Sequence, residues 1–160
     1  EMTLRSTQWA SVLIAACIIV PQAIVALMSP TVGRKAQAWG RRPILLIGFG
    51  ALAIRGILFA TVTDPFLLVA VQIFDGITAA VFAVMVPLIV ADVAFGSGHF
   101  NLAQGIVGTA TGIGASLSTV LAGYVTDKFG SSVAFLGLAG VAATGLLLIL
   151  LIMPETRRLT

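Results

Sequence analysis

No charged side chain occurs between Leu102 and Thr126 or between Val133 and Met153, and each stretch reaches the roughly 20 residues a helix needs to cross a bilayer core of about 30 Å. This feature constrains the fold more than any other, because a soluble helix of such length carries charge on its outer face. Three further stretches are alike: Trp9 to Met28, Pro43 to Ala60 with only Arg55, and Pro65 to Ala91 with only Asp75. Hydrophobic residues make up 59% of the chain, charged residues 9%, and the mean hydropathy is +1.11. So few polar groups cannot cover a water-facing surface, so acyl chains must solvate most of the outside. A spanning backbone must satisfy its own hydrogen bonds, as a helix or as a closed barrel. Barrel strands alternate in segments of about ten residues, and Gly145 to Met153 does not alternate. The sequence predicts an all-α, polytopic membrane bundle of about five helices, near residues 9–28, 43–60, 65–91, 102–126 and 133–153.

The sequence pI near 9.8 does not indicate nucleic acid, since the nine Lys and Arg fall in clusters between apolar runs rather than along one face. Arg34, Lys35, Arg41 and Arg42 lie between the first two spans, and Arg157 and Arg158 follow the last; the other side carries only Arg5 and Lys128. Basic flanks stay in the cytoplasm, so the stretch 33–42 is expected as a cytoplasmic loop and 154–160 as a cytoplasmic tail. Arg5 ahead of an apolar run could suggest a cleaved leader, but the run is too long and Pro21-Gln22 interrupts it. Position 1 is Glu, so the chain is expected to begin inside a longer polypeptide or after processing. Cys17 is alone and can form no bridge within the chain.

Between the first two spans stands Gly33-Arg34-Lys35-Ala36-Gln37-Ala38-Trp39-Gly40-Arg41-Arg42-Pro43. It resembles the signature loop of the major facilitator superfamily: Gly, three residues, Asp, two residues, Gly, then two basic residues. Gly33, Gly40, Arg41 and Arg42 match; Gln37 stands where that family has Asp, which removes the carboxylate's capping and pairing role. Gly123, Asp127 and Gly130 repeat the spacing 90 positions on. Three crossings lie between the two copies, so they face opposite sides, as an inverted repeat of three-helix units requires. The ending Met153-Pro154-Glu155-Thr156-Arg157-Arg158 resembles the Pro-Glu-Thr close common after the last helix of such carriers, and Val69 to Asp92 resembles the tenth helix of bacterial efflux-type members. The resemblance implies helices eight to twelve of such a carrier, with the amino-terminal bundle of the same polypeptide upstream.

What the resemblance implies for function is secondary active transport by alternating access in a cell membrane, the bacterial inner membrane being the expected one. Proton-coupled efflux of a small-molecule substrate is the first expectation. Uptake of a sugar or metabolite, and a non-transporting receptor or scaffold, stay open as alternatives. A membrane-embedded enzyme is the weaker rival, because no Ser, His and Asp constellation, metal-ligand spacing or phosphate-cradling loop adjoins the spans. No catalytic residue, metal or cofactor is expected.

The residues themselves single out the intramembrane charges, since an ionisable group at bilayer depth is costly and faces a cavity or a partner. Arg55 lies about 18 Å of helical rise from Pro43, and Asp75 lies about 15 Å from Pro65, which brings the two to similar depths across the core. The short turn Thr61-Val62-Thr63-Asp64 makes their helices antiparallel neighbours, so an Arg55–Asp75 ion pair is expected. Gln22, Gln72 and Gln104 are candidates to line a cavity or to bond neighbouring helices. Gly108, Gly112 and Ser116, with Gly105 and Thr109 beside them, predict close helix contact along the fourth span. Pro21 and Pro87 are expected to bend their helices, and His99 falls in a solvated loop.

Overall fold

The computed structural model describes residues 2–154, with the side chains of residue 9 and residues 11–154. Among them the chain forms five α-helices: α1 Met2–Trp39, α2 Arg41–Thr61, α3 Pro65–Val93, α4 Phe100–Phe129 and α5 Ser131–Ile152. All five are long and apolar enough to cross a membrane. The side chain of Arg5 and the tail carrying Arg157 and Arg158 lie outside the described residues.

The stretch 33–42, expected as a loop, is helical except at Gly40: α1 runs through Trp39 and α2 opens at Arg41. Charge ends the apolar run without ending the helix. Arg, Lys, Ala and Gln are strong helix formers, and Val32 and Ala36 in these last turns are buried, at 6% and 0% exposure. Packing and propensity therefore agree. Pro21 and Pro30 both lie inside α1, and Pro87 lies inside α3.

Chain order is not spatial order. α3 packs against both α1 and α2, α2 packs in turn on α5, and α4 leans on α5 with a lesser contact to α3. The core sits where α1, α2 and α3 meet, around Val32, Ala36, Ile44, Leu45, Ala80, Val81 and Met85. Without water to drive apolar faces together, helices in lipid associate where small residues let backbones approach. A Cβ added at Gly76 would stand 2.5 Å from Ile24 Cβ across α3 and α1, at Gly48 2.7 Å from Val81 Cγ1 across α2 and α3, and at Gly56 2.8 Å from Ala139 Cβ across α2 and α5. Thr78 adds a hydrogen bond to the Gly48 carbonyl, 3.4 Å long.

Among the described residues, the close contact expected along α4 is absent. Nothing lies within 4 Å of a Cβ built at Gly105, Gly108 or Gly112, and α4 has no buried residue. The stripe of small residues announces a face that accepts a helix, but no described element occupies it.

The helix ends have local causes. Asp64 caps α3, its Oδ1 accepting from the amides of Phe66 at 2.8 Å and Leu67 at 3.2 Å, with Pro65 at the first helical position, where its missing N–H costs nothing. Gly40, with φ 102° and ψ 174°, and Gly130, with φ 89° and ψ 160°, are each the one residue between two helices. Both adopt a backbone that L side chains avoid. α3 passes to α4 through Ala94–His99, where Gly96 and Gly98 take positive φ and His99 precedes the first turn of α4.

Candidate functional site

The polar architecture is built mainly on the antiparallel pair α2 and α3, which one ion pair joins at an end and a second joins deeper in the span. At the first, Arg41 opens α2 while Asp92 sits in the last turn of α3. Arg41 Nε donates to Asp92 Oδ2 at 2.8 Å and Nη2 to Oδ1 at 3.3 Å, a two-point fork. Nη1 donates to the Ala36 carbonyl at 3.0 Å, the same carbonyl that accepts the Gly40 amide at 3.2 Å. One guanidinium thus ties the end of α1, the start of α2 and the end of α3. The side chains are 10% and 17% exposed, so the pair is largely desolvated and its geometry must compensate. Arg42 turns the other way and donates through Nη2 to the Leu150 carbonyl near the end of α5, a cation satisfying a helix C-terminal acceptor.

The remaining residues of that segment do less. Gly33 has room for a side chain, since a Cβ there would meet Val84 Cγ1 at an ordinary 3.9 Å, and Gln37 is exposed. Gly40 is the glycine whose backbone requires one. In the second copy Gly130 matches Gly40 in conformation and in donating its amide four residues back, to Thr126 O at 2.9 Å. Gly123 stands in open space and Asp127 is exposed. A cation also lies over a ring at each turn: Lys35 Nζ is 4.2 Å from the Trp39 centroid and Lys128 Nζ 5.5 Å from that of Tyr124.

Deeper in the span, the structure brings Arg55 and Asp75 together, Nη1 to Oδ1 at 2.8 Å, with side chains 29% and 34% exposed. The contact is one-point, and the guanidinium also lies 5.3 Å from the Phe59 ring centroid. Removing either charge leaves the other at membrane depth. We expect Arg55→Leu or Asp75→Leu alone to lower stability by about 1–2 kcal/mol, less than the ~2.5–3.5 kcal/mol of a charge at a bilayer centre because the pair is partly open. The double replacement is expected to recover most of that loss. Reversible unfolding in bicelles measures it, and equal stability of the single and double variants would contradict it.

Gln22 is exposed, while Gln72 on α3 and Gln104 on α4 each carry a buried Oε1 with no hydrogen-bond partner among the described residues. Sequence reasoning missed Asp92 as a site residue. The available signal was an acid closing an apolar span beside which a basic cluster had to be balanced.

A family model described as Major Facilitator Superfamily matches residues 2–160. Two curated relatives, described as uncharacterized MFS-type transporters from two strains of Mycobacterium tuberculosis, are each 43% identical over 155 residues, covering 97% of this chain and 37% of the relative. The chain thus spans little more than a third of the curated relatives it matches. No solved structure matches.

Proposed function

As the chain belongs to the major facilitator superfamily and is a multi-pass membrane protein, we propose that it supplies five helices of one bundle of a secondary transporter working by alternating access, exporting a small molecule in exchange for protons. The observation that carries this reading is the pair of matching one-residue turns at Gly40 and Gly130. Each closes one helix and opens the next, 90 positions apart, with an odd number of crossings between them. That is the mark of inverted triplets, the architecture from which carriers build two-sided access.

In this reading the Gly40 turn and the carboxyl terminus face the cytoplasm of a cell membrane. Arg41, held by Asp92 and Ala36, is the latch that keeps the cytoplasmic ends of α1, α2 and α3 together while the bundle rocks against an upstream bundle of the same polypeptide. The bare small-residue face of α4 receives a further helix of its own bundle. Asp75 is, among the described residues, the acid farthest from either end of its span, and we assign it the coupling proton: protonation discharges it and loosens its hold on Arg55.

The test uses everted vesicles bearing the longer polypeptide that contains these helices, with ethidium as the drug-like probe. An acid-inside gradient should drive ethidium uptake, and Asp75→Asn, which keeps a hydrogen-bond acceptor for Arg55, should abolish gradient-driven uptake while ethidium exchange without a gradient persists. Full gradient-driven uptake in Asp75→Asn would remove the coupling role, and no gradient-dependent movement at all would remove the exchange reading.

A further inference from the structure

The deeper ion pair leaves a donor with nothing to hold. Arg55 reaches Asp75 through Nη1, and its Nε is buried with no hydrogen-bond partner among the described residues. Leaving such a donor unmade costs more than the average hydrogen bond gains. The same side chain borders a cavity of about 320 Å³ whose other walls include Phe49, Phe59, Phe135 and Ser118. A second cavity of about 410 Å³ between α4 and α5 shares Ser118, Leu138 and Val141 with it. The two adjoin at those shared residues, and we take them as one groove, aromatic and cationic at the Arg55 end and aliphatic along α4 and α5. Both cavities have the size of small-molecule sites. The flanking Leu117, Leu121 and Val141 are 60%, 62% and 71% exposed, so the groove is open along that side.

Charge decides what fits. The guanidinium is already neutralised by Asp75, so a carboxylate entering beside it would bring a net negative charge into a low-dielectric site. A neutral acceptor satisfies Nε without that cost. Phe59 and Phe135 stack with centroids 5.2 Å apart and planes 22° apart, and both line the cavity beside Arg55, giving it an aromatic wall that an aromatic ring can pack against. We propose that the groove binds an uncharged, lipid-soluble aromatic carbonyl compound of the quinone class, drawn from the bilayer. One carbonyl accepts from Arg55 after a small turn of that side chain, the ring lies against Phe59 and Phe135, and the alkyl tail runs between α4 and α5.

The test is photolabelling of the longer polypeptide that contains these helices, in lipid nanodiscs, with a decyl-chain azidobenzoquinone, reading the modified peptides by mass spectrometry. Label is expected on α2 and α5 near Phe59 and Phe135, displaced by decylubiquinone and not by decylbenzene or decanoate. Arg55→Lys retains the charge opposite Asp75 but lacks Nε, and should weaken labelling about tenfold, the loss of about 1.4 kcal/mol. Ser118→Phe on the exposed face of α4 blocks the groove without touching the ion pair and should abolish the label. Displacement by decylbenzene as effective as by decylubiquinone, stronger displacement by decanoate, or undiminished labelling of both variants would each overturn the site. No flux is measured, so the outcome is independent of the transport reading.

Discussion

Arg41→Ala is expected to destabilise the bundle by about 3–5 kcal/mol, because it strands Asp92 in a largely desolvated position. The loss exceeds that of an ordinary surface pair for two geometric reasons. The guanidinium engages both carboxylate oxygens, at 2.8 and 3.3 Å, and its remaining arm holds Ala36 O, so one truncation loosens three helix ends. Arg41→Lys should recover only part of the loss, since an ammonium cannot reproduce a planar fork. Replacing Arg41 and Asp92 together by Leu should cost less than either alone. Reversible unfolding in bicelles measures each step; an Arg41→Ala protein within about 1 kcal/mol of the parent would show that the fork contributes only what exposed pairs do.

The second large effect is expected at Gly76. An added Cβ would stand 2.5 Å from Ile24 Cβ, 2.7 Å from its Cγ2 and 3.0 Å from the Pro21 carbonyl oxygen. Neither the carbonyl nor a β-branched stem can move aside as a flexible side-chain end could. Gly76→Ala should therefore cost about 3 kcal/mol, the upper part of the usual range for overpacking, and Gly76→Leu should force α1 off α3. Gly140→Ala on α5, with nothing within 4 Å of its Cβ, is the control and should stay within about 1 kcal/mol of the parent. Crosslinking of cysteines placed across α1 and α3 reads the separation. Equal crosslinking in Gly76→Leu and parent would mean that this crossing tolerates what its geometry forbids.

Apolar length carried the architecture, because lipid leaves a polypeptide few choices and a helix is the one that satisfies its backbone segment by segment. Counting rise along two helices joined by a short turn was enough to set Arg55 opposite Asp75. Other features needed coordinates. The end of α1 was hidden because charged residues stop an apolar run yet continue a helix. The partner of Arg41 was hidden because neighbouring helices and their register depend on packing at Gly48 and Gly76, not on order along the chain. The stripe on α4 shows the limit of pattern reading: Gly108 and Gly112 say that a face accepts close approach without saying which helix approaches. The Asp64-Pro65 cap was legible in the sequence as an acid before a proline and was passed over as part of a turn.

α4 has the lowest mean hydropathy of the five spans, 1.4, while α5 has the highest, 2.6, and Gly130 alone separates them. Partitioning into hydrocarbon follows apolar content, so α4 by itself is the weakest candidate for release from a translocation channel into lipid. With a junction that short, α5 emerges from the ribosome directly behind it and lies antiparallel against it. The two are therefore expected to enter the bilayer as one hairpin, the greasier helix carrying its glycine-rich neighbour across.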